Sequence, residues 1–243
     1  MGSPDATGFG AAMRDHLAEV ERRNAAVLDG VADLLHDTVA ADRVVYTAGS
    51  GHSIALVLET FYRAGGLACV HPVFHPALVP LEGGGASTLL ERVEGLAAEV
   101  LASAAPSSRD LAVVFSNSGV NAFPVELARG FRQAGCPVVA VTSLPHLRSA
   151  PVRAGAKLDD IADHLIDTGV PPGDAAYPAP GAATAALSSL ASIYCWNLLL
   201  VRLAERAGAS GLELPLWSSA NVEGGDEGNA ALAARYRGRI PHL

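Results

Sequence analysis

Two stretches of the chain share one plan. In the first, an apolar run (Val44, Val45, Tyr46) breaks into Gly49-Ser50-Gly51-His52-Ser53, and an apolar, helix-forming run starts at Ile54. In the second, Leu111 to Phe115 gives way to Ser116-Asn117-Ser118-Gly119, and a helical pattern runs from Phe123. Buried strand, small-residue turn and helix together aim the unpaired N–H groups of a helix start, and the positive end of its dipole, at one point. Two polar-glycine turns of this kind in one chain suggest a single anion, a phosphate foremost.

The remaining elements fall in around these units. Residues 9–39 show a helical apolar face (Met13, Leu17, Val20, Ala25, Leu28, Val31, Leu34, Leu35). Such an arm ahead of the first strand is a packing or dimer element sooner than a catalytic one. Leu67 to Val70 reads as a short second strand, followed by an irregular segment that carries His71 and His75. Gly83-Gly84-Gly85 breaks the chain before a helix expected from Ser87 to Ala104, where Thr88 and Glu91 have capping-box spacing. Strands at Leu111–Phe115, Pro137–Val141 and His164–Ile166 are separated by a helix over 122–134 and a loop with a short helix over 144–162. Pro171 to Pro180 is punctuated enough to read as a loop. A strong helix is expected over 184–207, and the tail 208–243 carries a polar cluster from Ser218 to Glu227.

This alternation predicts an α/β fold: a doubly wound, five-stranded parallel sheet flanked by helices, with ligands at the carboxyl ends of the strands. A single domain is expected over 1–243, with a helical arm (1–40), a core (41–207) and a tail (208–243).

Composition narrows the partners. At 243 residues the formal net charge is −8. That argues against nucleic acid or an anionic membrane as partner, so an anionic ligand has to be held by local donors. The three cysteines, Cys69, Cys136 and Cys195, lie far apart in apolar contexts, which fits buried reduced thiols and not a disulfide framework or a zinc spacing. The first residues have no basic and apolar leader pattern, and no stretch approaches the roughly 20 apolar residues of a membrane span. A cytoplasmic protein is expected.

Familiar nucleotide motifs do not fit. Ile54 stands where a dinucleotide fingerprint needs its third glycine, and Cys69-Val70-His71 stands where an acidic residue would end the second strand. No Gly-Lys-Ser/Thr follows either turn. No organic cofactor is expected, and no metal, since His71 and His75 lack a carboxylate at a ligand spacing. The plainer alternative, that Ser and Gly only cap helices, is weakened because two such turns occupy the same topological position.

TAGSGHS followed by a helix, and later VVFSNSGVNAFPVELARGFRQAGCPVVAVTS, resemble the SIS (sugar isomerase) domain. FYRAGG, SNSG-x-N, GDAA and SANVEGGDE resemble the UPF0309-like members of that family. The resemblance implies a sugar-phosphate ligand, with Ser50, Ser53, Ser116, Asn117 and Ser118 holding the phosphate. Gly51, His52 and Asn121 belong to the same turns and are counted with them. It further implies a homodimer or homotetramer whose pocket a neighbouring subunit completes. More distant likenesses are to phosphoheptose isomerase and to the N-acetylmuramic acid 6-phosphate etherases. The etherase likeness carries an acidic residue on the first motif's helix and a Gly-Gly stretch leading to Val-Glu-Gly. Here Glu59 stands on that helix, and GGGASTLLERVEG carries Glu91 and Glu94.

Isomerisation and β-elimination of a sugar phosphate both begin by removing the proton α to the carbonyl, which asks for a carboxylate or imidazole near C2. Glu59 is the first candidate, as the only charge between Ile54 and Tyr62. An ordinary i,i+4 pair between Glu59 and Arg63 is the competing explanation. His75 and Glu94 are the further catalytic candidates. Asn221 and Glu223 belong either to a tail that closes over the pocket or to a solvated end. Either aldose–ketose isomerisation or β-elimination (dehydration), with an amino sugar such as N-acetylglucosamine 6-phosphate as substrate, is the expected chemistry. The alternative is a non-catalytic sugar-phosphate sensor acting on a protein partner.

Overall fold

The computed structural model describes residues 6–179 and 182–243. Five parallel strands form the central sheet in the order β2-β1-β3-β4-β5, with β1 Val45–Gly49, β2 Val70–Val73, β3 Leu111–Phe115, β4 Val138–Thr142 and β5 His164–Asp167. Every residue of the first four strands is buried, as both faces of a parallel sheet require when helices cover them. Neighbouring side chains point to opposite faces. Leu111, Val113 and Phe115 enter a core built with α1 (Ala6–Ala40) and α7 (Ser188–Ser210); Ala112 and Val114 enter the other, built with α4 (Leu96–Ala104) and α5 (Ala122–Gln133). The chain winds outward in both directions from β1 and β3, so the crevice between their carboxyl ends is the topological switch point.

The long first helix packs within its own chain. Val20, Leu28, Val31, Leu35 and Val39 are buried against the sheet and α7, and Met13 packs on Val170, Leu187 and Ala191. Asn24 does something sequence periodicity does not show. Its Nδ2 donates to the Asp167 carbonyl and its Oδ1 accepts from the Asp167 N–H, each at 2.8 Å, so a buried amide takes the place of a neighbouring strand at the β5 edge. Arg23 beside it pairs with the Asp167 carboxylate at 2.8 Å.

Several boundaries differ from the sequence reading, each for a local reason. The strand placed at Leu67–Val70 starts at Val70 and continues through His71 and Pro72. Pro72 is tolerated because β2 is an edge strand, with a partner on one side only. The stretch from Leu67 is occupied elsewhere: Ala68 N donates to the Pro215 carbonyl at 2.7 Å, and Leu67 bridges Leu216. The single helix expected over 87–104 is two, α3 (Gly84–Leu90) and α4, parted at Gly95, whose φ of 92° is left-handed and whose N–H donates to the Glu126 carboxylate. Glu91 therefore ends α3 instead of capping its start.

Within the presumed loop 171–180, Ala175–Ala179 (β6) pairs antiparallel with Ala182–Ala186 (β7). The Asp174 carboxylate ties the base of this hairpin to α7, accepting from Leu187 N (2.9 Å), Ser188 N (2.8 Å) and Ser188 Oγ (2.6 Å). That cap moves the start of α7 from 184 to Ser188.

The tail is docked. Trp217, Tyr236 and Ile240 are buried in the α1/α7 core, α8 spans Gly225–Tyr236, and Arg235 and Arg239 hold Asp42. Cys69, Cys136 and Cys195 are free and buried, and burial pushes each thiol up to about 12. Among the described residues, no helix is long and apolar enough to cross a membrane.

Candidate functional site

A cleft of about 330 Å³ opens at the carboxyl ends of β1 and β3. Its floor is the two polar-glycine turns. Ser50 leaves β1 buried, and the Ser53 N–H closes back on the Ser50 carbonyl at 3.0 Å, so a tight turn over Gly51–Ser53 feeds directly into α2 (Ile54–Thr60). The second turn is braced against β4. The Asn117 carbonyl accepts from Ser143 N (3.2 Å) and Thr142 Oγ1 (3.3 Å), and Ser116 Oγ accepts from Gly119 N at 3.2 Å. Both serine-bearing turns are thereby fixed by backbone bonds before any ligand arrives.

One wall is the end of α3. Glu91 there accepts from Ser50 Oγ at 3.2 Å and, through its other oxygen, from Asn121 Nδ2. Burial raises the Glu91 carboxyl above its ordinary value, and the bond from Ser50 and the nearby Arg92 and Arg153 charges oppose the rise without cancelling it. The lining also takes in the start of α7, with Ser188, Ser189 and Ser192, where Asp174 holds Ser188, and His146 of α6 (Leu144–Ser149). His146 Nδ1 lies 3.1 Å from Asn117 Nδ2. The Asn117 Oδ1 is buried with no partner among the described residues, which leaves an acceptor available to an N–H or O–H of a ligand. No lysine or arginine is among the described residues that line the cleft, so the donors there for an anion are hydroxyls, amides, imidazoles and helix starts.

All eight residues assigned to phosphate from the sequence line this cleft: Ser50, Gly51, His52, Ser53, Ser116, Asn117, Ser118 and Asn121. Asn121 stands apart in that both ends of its amide are already engaged, with Glu91 and with Arg153. The other candidates lie off the lining. Glu59 is on α2 beyond the cleft wall, paired with Arg63 at 2.9 Å, the i,i+4 arrangement that competes with a role as base. His75 accepts from Ala77 N at 3.2 Å and starts a short turn. Glu94 is exposed beyond the end of α3, and Asn221 and Glu223 are exposed on the loop before α8. His71 is buried in β2 against the Tyr46 ring, and burial, then the neighbouring His242, lowers it to about 4.

Four groups on the cleft escaped the sequence reading as site residues: Glu91, His146, Asp174 and the α7 serines. Asp174 carried a signal, since it lies in the GDAA segment that resembles the family. Glu91 also stood in the GGGASTLLERVEG stretch, but its spacing from Thr88 pointed to a helix cap.

The comparisons bear on the family and the fold. A family model for the SIS domain matches residues 8–143. A UPF0309 protein of Brucella canis is 36% identical over 229 residues, covering 93% of this chain and 94% of that one, and one of Brucella abortus is 35% identical over the same length. Phosphoheptose isomerase from Neisseria gonorrhoeae shares the fold with a TM-score of 0.56 at 16% identity, over 82% of this chain and 96% of that chain. The sugar isomerase domain of an RpiR transcription factor from Sphaerobacter thermophilus gives 0.50 at 16%, over 98% and 100%. With both polar-glycine turns inside the matched segment and relatives at this identity along nearly the whole length, the chain belongs to the SIS domain family.

Proposed function

We propose that the cleft binds a sugar 6-phosphate and that Glu91 removes the C2 proton of its open-chain form, giving an enediol or enolate. The observation that carries this reading is Glu91 itself, a half-buried carboxylate beside both phosphate-type turns. The phosphate sits between the Ser116–Ser118 turn and the start of α2, taking hydroxyls and backbone N–H groups as donors. The sugar then extends toward α3. A carboxylate raised by burial is a stronger base at working pH than an ordinary one, and a general base of this kind contributes about 10²- to 10⁴-fold. With Asn117 Nδ2 donating to His146 Nδ1, the ring proton stands on Nε2, a donor for the sugar carbonyl oxygen as negative charge develops there.

From the enediolate of a 2-hydroxy sugar the proton returns at C1 and C2 becomes the ketone, an isomerisation. From the enolate of a 2-acylamino sugar, which has no C2 hydroxyl to become a ketone, the C3 hydroxyl takes up a proton and departs as water, an elimination. The substrate favoured is an amino sugar such as N-acetylglucosamine 6-phosphate. Its C2 nitrogen supplies an N–H for the unpartnered Asn117 Oδ1. Assembly as a homodimer or homotetramer goes with this reading.

The same fold occurs in a phosphoheptose isomerase and in the sugar isomerase domain of a transcription factor, so fold does not choose between enzyme and sensor. Chemistry does. Hexose, hexosamine and N-acetylhexosamine 6-phosphates are incubated with the protein in deuterated water, and C2 deuterium is followed by NMR. Exchange in the wild type that falls at least 100-fold in Glu91→Gln supports the enzyme. Binding without exchange supports the sensor acting on a protein partner.

A further inference from the structure

Asn121 begins α5, yet its side chain does not cap the helix. Its Oδ1 accepts from Arg153 Nη1 at 2.6 Å, and its Nδ2 donates to Glu91 Oε1. An asparagine amide has an ambiguous orientation when its neighbours can both donate and accept. Here it does not, because a guanidinium carries donors only: Oδ1 has to face Arg153, and Nδ2 is left to face Glu91. Arg153 itself is exposed, on the loop after α6, and is not part of the cleft lining. We infer that Arg153 is a positioning residue that acts through Asn121 to hold the Glu91 carboxylate in place and bias it toward its charged, proton-accepting form.

The physics has two parts. A charge-assisted bond into Oδ1 polarises the amide, so Nδ2 becomes a stronger donor to the carboxylate, and a hydrogen bond to the charged form favours that form. The guanidinium's own charge acts in the same direction. Burial disfavours the charged form of Glu91, the form that accepts a proton. Arg153 counters that from outside the cleft, whose described lining has no lysine or arginine. The other groups around Glu91 are Arg92, next to it in the chain, the Ser50 hydroxyl, and His52, His146 and Asp174 on the same cleft.

This inference rests on the reading of Glu91 as the proton-transfer group, but its test does not need turnover. Glutamate labelled with ¹³C at the carboxyl is incorporated, and the Glu91 resonance is assigned by its loss in Glu91→Gln. Its titration is then compared in wild type, Arg153→Met and Arg153→Lys. The Glu91 midpoint is expected to move to higher pH in Arg153→Met and by less in Arg153→Lys, which keeps the charge but not the fork geometry. In C2 exchange measured below that midpoint, kcat/KM of Arg153→Met is expected to fall about 10-fold, the scale of coupling within one hydrogen-bond network, with partial recovery in the lysine variant. An unchanged midpoint in an Arg153→Met protein with wild-type melting overturns the inference. If Glu91→Gln keeps full C2 exchange, the base assignment fails instead, and the titration still decides whether Arg153 reaches Glu91.

Discussion

Gly49→Ala is the most informative change to the scaffold. Gly49 ends β1, and a Cβ there would lie 2.8 Å from the Ser53 carbonyl oxygen, 3.0 Å from the Ser53 carbonyl carbon and 3.1 Å from the Ser53 Cβ. Two of those atoms are backbone, so no rotamer change removes the overlap; the turn over residues 50–53 has to shift by several tenths of an ångström. Overpacking of this kind costs about 1–3 kcal/mol, which for a chain of this size lowers Tm by roughly 2–12 °C. The same shift pulls Ser50 and the turn N–H groups from a phosphate. Loss of one hydrogen bond to a charged group costs about 1.5–3 kcal/mol, or roughly 10- to 100-fold in affinity. Calorimetric melting gives the first number, and isothermal titration with glucosamine 6-phosphate and N-acetylglucosamine 6-phosphate gives the second. A Gly49→Ala protein with wild-type Tm and wild-type affinity would refute both the close approach and the role of the first turn.

Three further outcomes are expected. Ser118→Ala weakens phosphosugar affinity by about 10- to 100-fold with a Tm near wild type, read by titration, since its hydroxyl is placed on the cleft and holds no strand in place. Asn24→Leu orphans the buried N–H and C=O of Asp167 and costs about 2–4 kcal/mol in urea unfolding, without a selective effect on ligand binding. Asp42 is raised by burial, but hydrogen bonds from Arg235 and Arg239 outweigh that and hold it below the usual carboxylate range. A lowered carboxyl stabilises above its unfolded value and loses that contribution as pH falls through the folded one. The protection of α8 amides, taken relative to their intrinsic exchange rate at each pH, is therefore expected to hold near neutral pH and to fall only in acid below the usual carboxylate range, and protection that does not fall there would contradict the tie.

The strands and their turns were legible because their determinants are local. Leu111–Phe115 is an uninterrupted apolar run closed by Ser116, and an α5 with Gly135 just past its end has one natural span. The carboxylate was harder. Glu91 touches Ser50, 41 residues earlier, and Asn121, 30 residues later, and neither contact leaves a periodic trace in the chain. Glu59, by contrast, stood out locally as a lone charge in an apolar helix, and its partner Arg63 was four residues away in plain view. The hairpin β6–β7 was hidden by its prolines, which read as punctuation, although Asp174 folds the segment back onto α7. Where a residue's role is set by what the sheet order brings beside it, pattern alone points to the neighbourhood and not to the atom.

A crystal structure of Glu91→Gln with a bound sugar 6-phosphate tests the central claim most directly. Glutamine keeps the site's bonds, its Oε1 accepting from Asn121 and its Nε2 donating to Ser50 Oγ, so the cleft is preserved while the base is removed. The account predicts the phosphate within about 3 Å of the Ser116–Ser118 turn and the Ser50–Ser53 turn, with C2 facing residue 91. A phosphate seated away from both turns, or a sugar whose C2 points toward Glu59 or into solvent, would contradict it.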